Sequence, residues 1–467
     1  MKFLWVSDLA DTLALAMRLQ REGNEVEFSI LDKSRGVCGD GMINKVKDWR
    51  ACLAKDKIIV FDMVGSGKEA DKLRKQGYMV FGASALADKM ELDRPFGANA
   101  MKVAGIPTPP TWVFTDFDDA LRFMETKRGK YVFKPSGNMN TAYTYVAHND
   151  DDMIHFLENC KNDSAMKKAV EFELQEHVEG VEMSLEGMFN GKEWVDGWWN
   201  ITFERKREFT GDLGHNTGCS LDIVKVLPEQ IESPLVKKTL LKITPMLQAA
   251  GYIGPVDINC IWKNGYPMGL EWTTRFGINA IYTMMELVKD DLGKIIADTT
   301  FGSNRPVRTE KGQFGASVRC TLPSKPVIPH RLLQNINNFK HIHPLDVMLN
   351  GNMQLVSADT DFILAIVTAY GATIRKASDF VYHLIDKTEK FGILDLQYRT
   401  DCGEQATEMY ERMVSWQLIK EDFVTPLQKP IPPVVIPDSD GAAIGAFEGD
   451  KISGEPFGGA FNDAPAK

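Results

Sequence analysis

The sequence of 467 residues lacks long apolar runs and an excess of basic residues, and both absences limit its function. No stretch reaches the roughly 18 consecutive apolar residues that a membrane-spanning helix requires. The first residues, MKFLWVSDLA, also lack the basic segment and apolar core of a signal peptide, so we expect a cytoplasmic protein that binds no membrane. The formal net charge of −10 argues against general nucleic-acid binding, which depends on clustered Lys and Arg.

Cysteine and histidine are too sparse and too scattered to predict a zinc site. The 7 cysteines show no Cys-x-x-Cys spacing, and the 8 histidines contain one close pair, His341 and His343. Because a zinc site needs three or four protein ligands, this pair is insufficient without further residues. We expect reduced cysteines that serve packing.

Glycine-rich phosphate loops are also missing. The stretch GSGKE, Gly65 to Glu69, resembles part of a P-loop, but Asp62 stands where that motif needs glycine and Glu69 where it needs Ser or Thr. The turn after the first predicted strand, VSDLADTLALA, contains no glycine at all. A dinucleotide held by that turn is therefore not expected.

Hydrophobic periodicity predicts a multidomain protein of α/β and α+β character. Buried strands alternate with helices in the first third, as in a parallel sheet, and one helix is predicted from about Ala85 to Ala104. The middle of the chain is rich in strand formers with Asn-Gly turns, which predicts antiparallel hairpins. The predicted units are residues 1–105, 106–305 and 306–428, followed by a Pro/Gly/Asp-rich, disordered tail at 429–467.

One predicted hairpin brings acidic residues together. Its turn is Asn264–Gly265, and counting outward from the turn places Asp257 and Glu271 near opposite each other. Two carboxylates so placed repel each other unless a cation lies between them, and Thr273 on the same strand face offers a third oxygen. The set resembles a partial Mg²⁺ cage, but a structural salt bridge between Asp257 and Arg275 explains the same spacing equally well.

The wider sequence resembles the phosphoribosylamine–glycine ligase family, ATP-grasp enzymes of purine synthesis. The segments that carry the resemblance occur in the family's order up to about residue 420, and they are YVFKPSG, LQEHVEGVEMSLEGM, GDLGHNTG, LEWTTRFG and YRTDCG. GDLGHNTG matches the signature Gly-Asp-x-Gly-Pro-Asn-Thr-Gly except at the proline. The resemblance implies an ATP-grasp fold between an N-terminal parallel α/β domain and a C-terminal α+β domain.

The resemblance also implies a reaction and its ligands. A small carboxylate such as glycine would be activated by ATP as an acyl phosphate and joined to an amine, with Mg²⁺ or Mn²⁺ as the metal. A small-molecule or nucleotide-like amine would be the second substrate, and the protein would be a monomer or dimer.

Site residues follow from the same resemblance. Arg94, in place of a lysine, and Lys134 would contact the ATP phosphates, and Glu182 would contact the ribose hydroxyls. The residues implied to line adenine are Gln175, Glu176 and Val178. Those implied to hold the metal are Asp257, Glu271 and Thr273. Those implied to border the amino-acid and acyl-phosphate site are Asp212, Asn216 and Thr217, with Arg275 facing phosphate.

Several departures fall on the amine side of the site. The family's glycine-rich loop ending in Arg-Glu-His reads SDLADT here, an acidic segment that should repel a phosphate. The ATP-side glycine loop is replaced by NMNTAYT. Three hypotheses stay open: a ligase with another amine, the purine enzyme with Lys33 or Arg35 as a rebuilt phosphate contact, and a homologue without activity that binds nucleotide or a protein.

Overall fold

A parallel sheet forms the N-terminal part of the protein, as the alternating pattern predicts. The computed structural model describes residues 1–135, 144–163, 171–323, 328–334 and 340–420. The sheet has the strand order β2-β1-β3-β4. Its elements are β1 (Lys2–Ser7), α1 (Leu13–Arg21), β2 (Glu25–Ile30), β3 (Ile58–Phe61), α2 (Gly67–Lys75) and β4 (Met79–Phe81).

The predicted single helix from Ala85 to Ala104 is wrong, because the chain forms two helices here. They are α3 (Ala85–Leu92) and α4 (Arg94–Val103). Asp93 separates them and caps α4, since its Oδ1 accepts a hydrogen bond of 2.9 Å from the backbone N–H of Phe96. Pro95 follows in the first turn of α4, where its missing N–H costs nothing. The break places Arg94 at the N-terminus of α4.

A small antiparallel sheet follows, with the order β5-β8-β6-β7. Its elements are β5 (Thr111–Phe114), α5 (Phe117–Thr126), β6 (Tyr131–Pro135), β7 (Tyr145–Val146), α6 (Asp150–Asn162) and β8 (Phe172–Glu176). Phe133 and Leu174 are fully buried in the core beneath it. Most of the segment NMNTAYT, together with the predicted tail at 429–467, lies outside the described residues.

The largest sheet has eight strands in the order β13-β12-β9-β10-β11-β14-β18-β15. Its strands are β9 (Val181–Asn190), β10 (Trp194–Phe209), β11 (Leu213–Val226), β12 (Ile253–Lys263), β13 (Tyr266–Thr273), β14 (Phe314–Thr321), β15 (Ile342–Pro344) and β18 (Ile363–Gly371). The remaining elements are α7 (Pro234–Lys238), α8 (Thr244–Ala250), α9 (Ala280–Leu287), α10 (Leu292–Thr300), β16 (Val347–Leu349), β17 (Leu355–Ser357), α11 (Ile374–Lys387) and α12 (Glu404–Ser415).

Two of the predicted units share this large sheet. Strand β14 pairs with β11, so that Leu221 lies opposite Val318, and the sheet continues from the middle of the chain into the C-terminal part. The described residues all fall within one compact unit, Met1–Val424. The predicted domain boundaries therefore stay a prediction.

The predicted hairpin of β12 and β13 is present, but its register differs from the prediction. Asn264 and Gly265 both have positive φ, 51° and 81°, as a tight hairpin turn requires. The register shifts by one residue beyond Cys260, because Leu270 forms a bulge on β13. Asp257 therefore lies opposite Thr273, and Asn259 lies opposite Glu271, so the predicted direct pairing of Asp257 with Glu271 is wrong.

Candidate functional site

One face of the large sheet carries polar side chains, and the opposite face packs against the hydrophobic core. Leu185, Ile201, Ile223 and Ile258 are buried in the core on the apolar face. Because side chains alternate along a strand, the intervening residues point to the opposite face. This polar face carries Glu182, Ser184, Glu186, Thr202, Glu204, Lys206, Asp257, Asn259 and Glu271.

Glu271 lies at the centre of a cluster of opposite charges. Its Oε1 is 3.0 Å from Nζ of Lys206, and its Oε2 is 3.6 Å from a guanidinium nitrogen of Arg94. Lys206 foremost, against the effect of burial, and then Arg94 and Lys134 hold the pKa of Glu271 far below its usual value. Glu271 is therefore a permanent anion at neutral pH, as a metal ligand needs to be.

Lys206 is shared between carboxylates of neighbouring strands. Its Nζ is 3.6 Å from Glu182 in addition to its contact with Glu271. Burial acts to lower the pKa of Lys206, but Glu271, Glu182 and Glu204 together raise that pKa well above the ordinary value. Lys206 thus neutralises the acidic face when no other cation is bound.

Lys134 lies on the small sheet and faces the same cluster. Its Nζ donates a hydrogen bond of 2.9 Å to Oε1 of Gln175, whose amide in turn contacts Thr111 at 3.2 Å. Burial lowers the pKa of Lys134 to about 8, although Glu271 acts in the opposite direction. Burial likewise raises the pKa of Glu173, against the effect of Arg94 and Lys134. A buried ammonium with one amide partner is suited to receive a phosphate.

Two cavities are lined in part by residues that the sequence analysis predicted to bind ATP or the metal. A narrow one of about 30 Å³ is lined by Arg94, Glu173, Gln175 and Glu271, so the structure brings α4, β8 and β13 together there. A wider cleft of about 560 Å³ is lined by Val178, Glu182 and Glu204 among others. Glu176, predicted to line adenine, is exposed at the end of β8. The roles of these residues in nucleotide binding stay predictions.

The polar face offers oxygen ligands that fit a divalent cation. Oδ1 of Asn259 is buried and has no hydrogen-bond partner among the described residues, and Asn259 lies opposite Glu271. Asp257 is two residues along the same face, and burial together with Glu204 and Glu186 raises its pKa well above the ordinary value. The described residues hold no group of three His, Cys, Asp or Glu arranged to bind a metal alone, so substrate oxygens would have to complete the shell.

The signature segment GDLGHNTG begins in the turn between β10 and β11 and continues into β11, and its Asp212 is held by the C-terminal motif. Asp212, at a positive φ of 58°, accepts a hydrogen bond of 2.9 Å from Arg399 of YRTDCG. Arg399 is almost completely buried and also binds Asp401 at 2.6 Å. Thr217 lies nearer the charged cluster, because its hydroxyl donates to the backbone carbonyl of Lys206 at 2.8 Å. Asn216 donates to the carbonyl of Thr144 at 3.1 Å.

Arg275 contacts a partner that the sequence did not indicate. Its Nε is 3.1 Å from Oε1 of Glu91 on α3, and its Nη1 donates to the carbonyl of Phe276 at 3.0 Å. No ion pair joins Arg275 to Asp257 within the described ranges, so the alternative of a structural salt bridge between them is wrong. Its proposed contact with phosphate stays a prediction.

The loop after β1 is acidic in three dimensions as well as in sequence. Burial raises the pKa of Asp8 and of Asp11, and the neighbouring carboxylate of Asp32 raises the pKa of Asp8 further. Arg35, one of the two proposed phosphate contacts, is buried and lies 3.0 Å from both Asp11 and Asp361. Since two carboxylates and the carbonyl of Leu9 engage its guanidinium, Arg35 does not make this loop basic.

Sequence reasoning missed five residues of the site. They are Glu91, Glu173, Lys206, Asn259 and Arg399. Period-two alternation could have found two of them, because Lys206 shares a strand face with Glu204 and Asn259 shares one with Asp257. Glu91 and Glu173 gave no local signal, since their partners come from distant parts of the chain.

Comparison with solved structures identifies the fold. The phosphoribosylamine–glycine ligase of Thermotoga maritima superposes with a TM-score of 0.66 at 19% identity, covering 86% of this chain and 100% of that one. The biotin carboxylase domain of the Hydrogenobacter thermophilus 2-oxoglutarate carboxylase, solved with MgADP and bicarbonate, gives a TM-score of 0.61 at 13% identity and covers 88% and 98% of the two chains. The fold is that of the ATP-grasp enzymes.

Sequence comparison narrows the assignment. Residues 93–278 match the family model described as the phosphoribosylglycinamide synthetase, ATP-grasp (A) domain. The phosphoribosylamine–glycine ligase of Lactococcus lactis subsp. lactis is 25% identical over 427 residues, which cover 87% of this chain and 100% of the relative. Residues 93–278 thus match the ATP-grasp domain of this family, and the chain is similar to phosphoribosylamine–glycine ligases along most of its length.

A search of the described helices for membrane spans finds none with the length and hydropathy to cross a bilayer.

Proposed function

We propose that this protein is an ATP-dependent carboxylate–amine ligase that works through an acyl phosphate. The observation that carries the proposal is the charged cluster in which Arg94, Lys134 and Lys206 surround Glu271. It combines cations for the phosphates of ATP with an anion for a metal, as phosphoryl transfer between two anions requires.

In the first step, a carboxylate oxygen of the donor attacks the γ-phosphorus of ATP, and the bond to the β-phosphate oxygen breaks to release ADP. Lys134 and Arg94 hold the phosphates and offset their negative charge. Glu271, Asp257 and Asn259, with Thr273 beside them, would hold Mg²⁺ or Mn²⁺. Such a metal supplies charge neutralisation at the phosphate oxygens when bound.

In the second step, the acceptor's nitrogen attacks the acyl carbon, phosphate leaves with the electrons of the broken carbon–oxygen bond, and the nitrogen loses a proton. Water must be kept away, because it would hydrolyse the acyl phosphate. In this proposal, the signature segment GDLGHNTG, with Asp212, Asn216 and Thr217, borders the acyl phosphate. Glycine or a related small carboxylate is the proposed donor.

We further propose that the acceptor differs from phosphoribosylamine. Asp8 and Asp11 occupy the loop that would approach the acceptor, and Arg35 is already engaged by carboxylates. A phosphate dianion next to these groups would be repelled. The orthodox purine substrate remains the second candidate, since the curated relative from Lactococcus lactis bears that name.

The test is ADP release from Mg-ATP and glycine, with phosphoribosylamine generated in place or with other small amines. ADP release that depends on an amine other than phosphoribosylamine supports the proposal. Release with phosphoribosylamine alone would restore the orthodox substrate. No release with any pair, from protein that still binds nucleotide, would contradict ligase function.

A further inference from the structure

Arg319 is a half-buried guanidinium on the polar face of the large sheet that the proposed reaction does not use. Its neighbours in β14, Val318 and Cys320, are fully buried in the core. Alternation therefore turns Arg319 to the opposite face, the one that carries Asp222 and Ser220 on the adjacent strand β11.

Arg319 differs from the two other arginines near it in having no acidic partner. Arg35 forms ion pairs with Asp11 and Asp361, and Arg275 forms one with Glu91. Within the described residues Arg319 forms no ion pair, and its one hydrogen bond is a long one of 3.4 Å to the hydroxyl of Ser220. A guanidinium removed from water without an anion is unfavourable, and its planar fork matches a carboxylate.

A chain of hydroxyl groups connects Arg319 to the reacting end of the proposed site. Ser220 Oγ is 2.9 Å from Oγ1 of Thr217, which donates to the carbonyl of Lys206 at 2.8 Å. Two side chains, those of Ser220 and Thr217, thus link Arg319 to the backbone of Lys206.

Asp11 is one of the acidic residues that act on the charge of Arg319. Burial lowers the pKa of Arg319, and the acidic groups nearby that oppose this effect are Cys219, Glu208 and Asp11. Oδ1 of Asp11 accepts a hydrogen bond of 3.0 Å from Arg35, while the described part of the chain shows no hydrogen bond to Oδ2. A cation without an anion and a free carboxylate oxygen therefore lie close to each other.

This arrangement favours an acceptor with a carboxylate over one with a phosphate. Asp8 and Asp11 would repel a dianion, and the loop between them contains no glycine whose backbone N–H groups could cradle a phosphate. One guanidinium with a neighbouring hydroxyl is enough for a monovalent carboxylate, which it can bind through two parallel hydrogen bonds.

We propose that Arg319 and Ser220 bind the carboxylate of the acceptor amine, with Oδ2 of Asp11 facing its amino-bearing end, so that the acceptor is a small amino acid. The inference rests on the proposed ligase function. The acceptor's nitrogen forms the bond to the acyl carbon, phosphate leaves with the carbon–oxygen electron pair, and a proton leaves the nitrogen. The product is an amide that keeps a free carboxylate.

The experiment measures ADP release from Mg-ATP and glycine with three matched acceptors: β-alanine, propylamine and 2-aminoethyl phosphate. We expect turnover with β-alanine, weak turnover with propylamine and none with the phosphate. In Arg319→Met, KM for β-alanine should rise at least about tenfold, because a charge-assisted contact is lost, while KM for ATP stays unchanged. Arg319→Lys, which keeps the charge without the fork, should fall between Arg319→Met and the native protein.

The matched control is Arg375→Met, because Arg375 is exposed on α11 and its side chain is 90% accessible. A preference for propylamine or for the phosphate, or an unchanged KM for β-alanine in both Arg319 variants, would overturn the inference and leave the ligase function standing. No ADP release with any acceptor from the native protein would overturn both. If Arg319→Met does not fold, Arg319→Lys decides the question alone.

Discussion

Two regions of the proposed site balance their charges in different ways. We call the region around Glu271 the nucleotide side and the region around Arg35 and Arg319 the acceptor side. On the nucleotide side, Glu271 is held between Lys206 and Arg94, so charges of both signs lie within 3.6 Å of one another. On the acceptor side, Arg35 is neutralised by Asp11 and Asp361. Arg319 is the arginine there for which the described residues offer no ion pair.

The cluster around Glu271 has the charges that the proposed activation of a carboxylate requires. Phosphate and metal binding depend on a dense arrangement of opposite charges, and the nucleotide side retains one. An acceptor pocket determines specificity through a few groups, and here those groups are acidic where a sugar phosphate would need donors. We therefore expect a carboxylate to be activated by ATP and joined to an acceptor other than phosphoribosylamine.

The largest expected effect is on the nucleotide side. Glu271→Gln keeps the shape of the side chain but removes the charge that Lys206, Arg94 and the metal share. ADP release should fall roughly a thousandfold, equivalent to about 4 kcal/mol. Glu310→Gln serves as the control, since Glu310 pairs with Lys289 at 2.9 Å in a partly exposed contact elsewhere. Near-native turnover in folded Glu271→Gln would remove the metal assignment.

Lys206→Met should change thermal stability and its dependence on Mg²⁺. Without this ammonium, Glu271, Glu182 and Glu204 repel one another, so the variant should have a lower Tm than the native protein in EDTA. Added Mg²⁺ should then raise the Tm of the variant more than that of the native protein, because the cation replaces the lost charge. Equal Mg²⁺-induced shifts in the two proteins would argue that the metal binds elsewhere.

Lys134 predicts a pH dependence of nucleotide binding. Because its pKa lies at about 8, the ammonium loses its proton as the pH rises through that value. KM for ATP should increase about tenfold between pH 7 and pH 9, whereas Lys134→Arg should hold KM nearly constant, since guanidinium stays charged. The check is a set of ATP titrations across this range. A parallel rise in both proteins would assign the pH effect to another group.

The smallest expected effect on activity, and a clear one on stability, concerns Glu186. It is buried and accepts hydrogen bonds from Trp198 at 2.7 Å and Asn200 at 3.2 Å. Burial raises its pKa to about 7, above the value of 4.5 expected when unfolded. The folded state is therefore favoured below the unfolded pKa, and this stability is lost as the pH rises through about 7.

Glu186→Gln should remove that loss. Relative to the native protein, its free energy of unfolding should improve by about 3 kcal/mol between pH 4.5 and pH 8, because glutamine does not ionise. Denaturant titrations at the two pH values measure the change, with Glu310→Gln again as the control. A pH-independent difference between Glu186→Gln and the native protein would show that Glu186 titrates normally.

Much of the fold was predictable because the signals were local. Alternating strands and helices predicted the N-terminal parallel sheet, and the Asn264–Gly265 turn predicted the hairpin that carries Glu271. The bulge at Leu270 was not predictable, because nothing in its neighbours distinguishes an unpaired residue from a paired one. Continuing the register of the turn without a bulge would place Glu271 opposite Ile258, and this single residue moves it opposite Asn259.

The site was predictable where the family motifs are retained and not where contacts cross between elements. Lys134, Glu271 and Thr217 were found from motifs, and the structure places them around one cluster. Lys206 reaches Glu271 across 65 positions of sequence, and Arg319 belongs to none of the motifs that carry the family resemblance. Their roles depend on which side chains the sheet brings together.

The fate of the donor's carboxylate oxygen tests directly whether the protein forms an acyl phosphate. The native protein is given Mg-ATP, glycine labelled with ¹⁸O in its carboxylate, and the acceptor that supports ADP release. If the donor is activated as an acyl phosphate, one labelled oxygen must appear in each inorganic phosphate, and the amide keeps the other. Unlabelled phosphate released together with ADP would mean that ATP is hydrolysed without carboxylate activation. This result would contradict a ligase reaction through an acyl phosphate.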